Sequence, residues 1–164
     1  MENKVSQEAQ NFLNQIVGLP LINAMKSTEI DLQGLYAFGF GQYQEDNRYW
    51  KGEEFPTYIL HVLCRFKVIW KNGQKRVDIY YEDTPNEEFD AGIKSLIGLK
   101  VKRVGLSEKN DLWLDFGDYW IVFATYENAE ESWRLLTFVN EKNIHLAATD
   151  VCLEFDPAFD KPTD

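Results

Sequence analysis

The sequence predicts an α+β fold made of two similar α-β-β-β(β) units that form antiparallel sheet, with one helix each. Three observations predict it. Ile16-Val17-Gly18-Leu19-Pro20-Leu21 reads like Leu96-Ile97-Gly98-Leu99-Lys100-Val101, and with a two-residue gap the likeness continues through Asp31-Leu32 and Asp111-Leu112 to Phe38-Gly39 and Phe116-Gly117. Each copy opens on an amphipathic segment with apolar residues at helical spacing. Strand-like runs broken by turn residues then follow, and helices feeding antiparallel meanders give an α+β domain. A repeated supersecondary unit describes architecture before it describes chemistry. The 164 residues suit one domain, with pseudo-repeats over about 6–84 and 86–156 and a flexible acidic tail over 157–164.

Residues 6–17 place Phe12, Leu13, Ile16 and Val17 on one helical face, with Ser6 to cap the start and Gly18 and Pro20 to stop it. A short strand or turn follows Pro20. Residues 35–43 read as an aromatic strand whose Gly39 and Gly41 suggest a bulge or a close backbone approach. Residues 44–57 have no period and read as a long loop. From Tyr58 to Trp70 every second residue is apolar or Cys64, which predicts one long strand. Asn72-Gly73 turns it back, because both central residues of a type I′ turn need positive φ. That turn sets Val68 opposite Val77, Phe66 opposite Ile79 and Lys67 opposite Asp78, and a one-residue slip would destroy the match.

Residues 86–97 predict the second helix: Glu87 and Glu88 in its first turn, Phe89, Ile93, Leu96 and Ile97 apolar, Gly98 its stop. Gly18 and Gly98 are therefore expected as left-handed caps. Leu112, Leu114 and Phe116 share a face, and a tight turn at Gly117-Asp118 brings Tyr119, Ile121 and Phe123 against them. Strands over 133–138, 145–148 and 151–155 complete the order α-β-β-β-β, then α-β-β-β-β-β.

Hydrophobic residues make up 45% of the chain, enough for a sizeable core. The net charge is -10: residues 1–85 carry net -2 and residues 86–164 net -8. Such a balance disfavours a phosphate backbone or an anionic membrane surface as partner, so neither nucleic acid nor membrane is expected. No apolar run reaches spanning length, and Met1-Glu2-Asn3-Lys4 lacks a signal pattern, so the expected location is cytoplasmic. Cys64 and Cys152 lie in apolar strand patterns and are expected as buried free thiols. The acid itself has two readings: a solvated surface, or a face made for a basic partner.

Chemistry-bearing motifs are sparse. His61 and Cys64 are three apart on a strand and point to opposite faces. No GxSxG elbow, metal-ligand spacing, calcium loop or phosphate loop occurs. No catalytic residue, metal or cofactor is therefore assigned, and the chain is read as a non-enzyme. Asp115, three residues before Asp118, falls opposite the apolar face and is expected to be exposed. Recognition is assigned to Arg48, Tyr49, Trp50 and Phe55, types enriched at binding hot spots and set in a loop. A lid over the core is the other use of that loop. Glu127, Glu130 and Glu131 represent the acidic face.

Leu35-Tyr36-Ala37-Phe38-Gly39, Asp111-Leu112-Trp113-Leu114-Asp115-Phe116-Gly117 and Glu131-Ser132-Trp133-Arg134-Leu135 resemble small acidic bacterial proteins, some of them immunity partners of secreted toxins. The resemblance covers most of the second copy. It implies a cytoplasmic protein that neutralises a toxin by tight binding, the partner being a basic toxin domain, and it brings no catalytic residue.

Three functions follow in order of expectation. The first is an immunity-type inhibitor acting by protein–protein binding. The second is a small-molecule binder or enzyme with its site between the repeats. The third is a self-associating structural module, with the hairpin over 58–82 offering an edge strand for a homodimer.

Overall fold

The computed structural model describes residues 4–26, 36–45, 54–70, 76–79 and 86–162. In chain order these form α1 (Lys4–Leu13), β1 (Leu21–Lys26), β2 (Tyr36–Gln44), β3 (Phe55–Val62), β4 (Arg65–Trp70) and β5 (Arg76–Ile79). There follow α2 (Asn86–Lys94), β6 (Arg103–Leu106), β7 (Leu112–Asp115), β8 (Tyr119–Ala124), β9 (Trp133–Thr137), β10 (Ile144–Ala148) and β11 (Leu153–Phe155). The strands make two antiparallel sheets, one ordered β1-β2-β3-β9-β10-β11 and the other β5-β4-β8-β7-β6.

The alternation over 58–70 does not build one strand. Tyr58, Leu60, Val62, Cys64, Phe66 and Val68 are all buried, but the chain leaves the six-stranded sheet after Val62 and enters the five-stranded sheet at Arg65. Period two is the same on either side of the break, so two sheets that share a core can draw their inner faces from one uninterrupted pattern. Rings from both sheets meet there. Phe66 packs edge-on against Tyr36 at 5.1 Å and Phe38 at 5.4 Å, and Phe38 against Phe123 at 5.4 Å. Ala9, Phe12 and Leu13 of α1 and Ile93 of α2 enter the same core.

The hairpin registers match the sequence pattern. Val68 pairs with Val77, Phe66 with Ile79 and Lys67 with Asp78. Leu112 pairs with Phe123 and Leu114 with Ile121 across the Gly117-Asp118 turn. In β2 a register shift after Phe40 coincides with Gly41 at φ +99°, the expected bulge. Both helices are shorter than the periodicity suggested: residues 14–16 tighten into a 3-10 turn, and 95–98 form a turn. Strand β6 was not expected; four residues with a central Gly105 are too short to show an alternation.

The two motifs pair with each other. Gly18 donates its amide to Val101 (2.7 Å) and Gly98 donates to Leu21 (2.8 Å); Leu21 donates to Leu99 and Val101 to Leu19, each at 3.0 Å. Every bond has a counterpart eighty positions away. Gly18 and Gly98 hold φ of +89° and +96°, the left-handed region open to glycine. The strand order carries a matching exchange. Strands β1-β2-β3 lie in one sheet and hand β4-β5 to the other, while β6-β7-β8 lie in the second and hand β9-β10-β11 to the first.

Two exposure expectations are overturned. Asp115 is 2% exposed, because Arg103 lies over it and the Gly117 amide binds its other oxygen. Cys152 is exposed, because it precedes β11 in a turn and so belongs to no strand face; Cys64 is the buried thiol. Residues 157–160, placed above in a flexible tail, carry Asp160 into a parallel bridge with Ile144.

Candidate functional site

Sequence-predicted recognition residues fall in three places. Arg48, Tyr49 and Trp50 lie outside the described residues. Phe55 opens β3 and is 2% exposed, held edge-on against Phe138 at 5.3 Å beside Leu136 and Ile59. Its ring is taken up in packing. Glu127, Glu130 and Glu131 lie in the link from β8 to β9, where Glu127 and Glu130 are exposed and Glu131 is half-buried.

That link is joined to two other loops of the second half. Asn110, in the β6–β7 loop at φ +64°, donates its side-chain amide to Thr149 in the β10–β11 turn (2.9 Å). Its carbonyl accepts the indole N–H of Trp133 at 2.9 Å. Thr125 donates its amide to Asp111 Oδ1 and its hydroxyl to the Lys109 carbonyl, both at 2.8 Å. Trp133 itself is 0% exposed in the core. The loops are thus pinned to one another and, through one indole, to the buried core.

The surface they present is acidic with apolar points. Residues 107–111, 124–132 and 149–154 hold seven acidic side chains and one basic one, Lys109. Tyr126 is 50% exposed and Val151 86%. The sequence contained Tyr126 and Val151, but neither lies in a pattern that marks it. Their significance comes from the loop ties, which join residues up to 39 positions apart.

Beside these loops, a cleft of about 190 Å³ opens over Ala147 and Ala148, walled by Glu130, Glu131, Arg134, Glu154 and Asp156. It lies within the second half, and Asp115 is not part of it. Arg134, on the outer face of β9, is its organising group. It makes two bonds to Glu131 Oε1 (2.8 and 3.0 Å), one to Asp156 Oδ2 (2.9 Å) and one to His145 Nδ1 (2.9 Å). A guanidinium only donates, so His145 Nδ1 accepts and its Nε2–H donates to Asn143 Oδ1 at 2.7 Å. Burial, then the Arg134 charge, push His145 down to about 4. Burial also lowers His61.

These groups do not assemble a nucleophilic site. Burial pushes the Cys64 thiol up to about 12, on the inner side of the sandwich. Cys152 is raised too, by burial and then by the Glu154 charge, so neither sulfur is an activated thiolate. His145 has both ring nitrogens engaged. Among the described residues no group of three or more His, Cys, Asp or Glu side chains is arranged to hold a metal ion, and no helix is long and apolar enough to cross a membrane. The expected edge strand is narrow: β4 is paired on both sides, which leaves only β5 of that hairpin at a sheet edge.

No family model, curated protein or solved structure matches the chain.

Proposed function

We propose that the protein is a non-enzymatic binding protein that uses the acidic loops of its second half against a basic protein surface. The observation that carries this reading is the set of three loops, pinned to Trp133, that presents Tyr126 and Val151 beside the exposed carboxylates of Glu127 and Glu130. Preorganised loops lose little freedom on binding, and an aromatic and an aliphatic anchor amid complementary charge match the anatomy of protein interfaces. Acidic surfaces speed encounter with basic partners as well. The resemblance to immunity proteins makes a secreted toxin's basic domain the partner of choice. The two halves are read as copies of one unit, supported by the exchange of Gly18–Val101 and Gly98–Leu21 bonds; recognition then resides where the copies differ.

A small-molecule site in the cleft is the weaker reading. Its arginine is already held by two carboxylates and an imidazole, which leaves the cleft short of free donors. The test is co-expression with a toxin encoded beside the gene. Wild type is expected to restore growth, and Glu127→Lys with Glu130→Lys to abolish the rescue while the protein still folds. No rescue by wild type, or full rescue by the variant, would overturn the reading.

A further inference from the structure

Neither half closes its own sheet. In the first half β1, β2 and β3 lie side by side in one sheet and β4 and β5 in the other; in the second, β6, β7 and β8 lie together and β9, β10 and β11 cross over. Each sheet is completed by one strand pair between the halves. β3 pairs with β9 from Tyr58–Thr137 to Val62–Trp133, and β4 with β8 from Arg65–Ala124 to Trp70–Tyr119. A half on its own would therefore leave two strand edges with unsatisfied backbone groups, on β3 and β4 in the first and on β8 and β9 in the second. The core is divided in the same way. Phe123 of the second half meets Phe38 and Phe66 of the first, at 5.4 and 5.5 Å.

We infer that the surface between the halves is an exchange interface, and that the partner it fits is the opposite half of a second copy of this chain. The halves are joined covalently through residues 80–85 alone, since Cys64 and Cys152, the chain's two cysteines, are both free. Two chains that trade halves keep the β3–β9 and β4–β8 pairs, the shared core, and the bonds of Gly18 to Val101 and of Gly98 to Leu21. The route of the link is what changes. Each lobe then takes its first half from one chain and its second half from the other. Both lobes close completely, so the assembly stops at two chains.

Concentration decides which form is populated. The contacts are the same in both, so the balance is set by the effective concentration at which the link holds a chain's own halves, on the order of millimolar for a short connection. A sound chain at micromolar concentration therefore closes on itself. A chain whose own halves cannot pair lacks that alternative, and exchange becomes its route to a folded lobe.

The test is complementation between two full-length variants. Phe38→Asp with Leu60→Asp spoils the first half, and Leu114→Asp with Phe123→Asp spoils the second; all four positions are 1% exposed or less. A carboxylate buried there without a partner is costly enough to block closure. Each variant alone is expected to stay unfolded by near-ultraviolet circular dichroism. Refolded together in equal amounts at about 10 µM, they should recover about half of the wild-type signal and sediment as a one-to-one dimer, because the sound first half of one chain meets the sound second half of the other. With 15N only in the chain whose second half is sound, the Gly98 and Val101 amides, which bond to Leu21 and Leu19 of the first half, should return to their wild-type positions and resist exchange. No recovery on mixing would overturn the inference, as would recovery without those two amides in place. Either variant folding by itself would overturn it too, since one half would then close without the core of the other.

Discussion

At the junction of the two halves, residues 18–21 and 98–101 satisfy one another through backbone groups, four bonds of 2.7–3.0 Å. In the loops at 107–111, 124–132 and 149–152 the ties are made mostly by side chains: Asn110 to Thr149, Thr125 to Asp111 and Lys109, Trp133 to Asn110. The first region is alike in both halves; the second belongs to one. Backbone pairing tolerates most side chains and constrains only the glycines, so it fixes how the halves meet and offers little to a partner. Side-chain ties leave the loop backbone held and the remaining side chains facing water, which suits recognition.

The largest expected effect lies where the two regions are connected. Trp133→Ala removes a fully buried ring and the indole bond to the Asn110 carbonyl. It should cost about 3–5 kcal/mol in denaturant unfolding, and amide exchange in 107–111 should rise in parallel. A loss under about 1 kcal/mol would show that the loops are not anchored through this ring.

A smaller effect tests the junction. Gly18→Ala and Gly98→Ala each place a side chain at positive φ, with nothing within 4 Å of the added carbon. Each should cost about 1–2 kcal/mol of backbone strain, and the two costs should agree. A difference above about 1 kcal/mol would break the equivalence of the two positions, because additive context is nearly the same at both. The smallest effect belongs to the acidic loops: Glu127→Gln and Glu130→Gln should change stability by no more than about 0.5 kcal/mol, since exposed substitutions away from buried contacts are nearly neutral. A larger loss in thermal unfolding would mean that these carboxylates serve the fold.

The local elements were legible because local chemistry decides them. The pairings expected on either side of Asn72-Gly73, which itself lies outside the described residues, and of Gly117-Asp118 hold to the residue; Gly18 and Gly98 take the left-handed backbone expected of them, but each in a turn beyond its helix and not as a cap on it. The alternation through Tyr58–Trp70 predicted the buried face but could not reveal the passage between sheets, since both sheets present the same inward period. Asp115 was misplaced because the parity rule assigns a face and knows nothing of Arg103, twelve residues earlier, or of the Gly117 amide. Of the candidate site, Glu127, Glu130 and Glu131 were readable as charge. Val151 and Tyr126 required the loop ties, and the Arg134–His145–Asp156 network required the pairing of β9 with β10 and the residues after β11, contacts that no sequence period encodes.

The most direct measurement is the affinity of the purified protein for a basic toxin domain encoded beside its gene, by calorimetry at two salt concentrations. Acidic-loop recognition predicts tight binding that weakens as salt rises, and that falls at least tenfold in Val151→Asp and in Glu127→Lys with Glu130→Lys. Binding that is indifferent to salt and to both variants would contradict it.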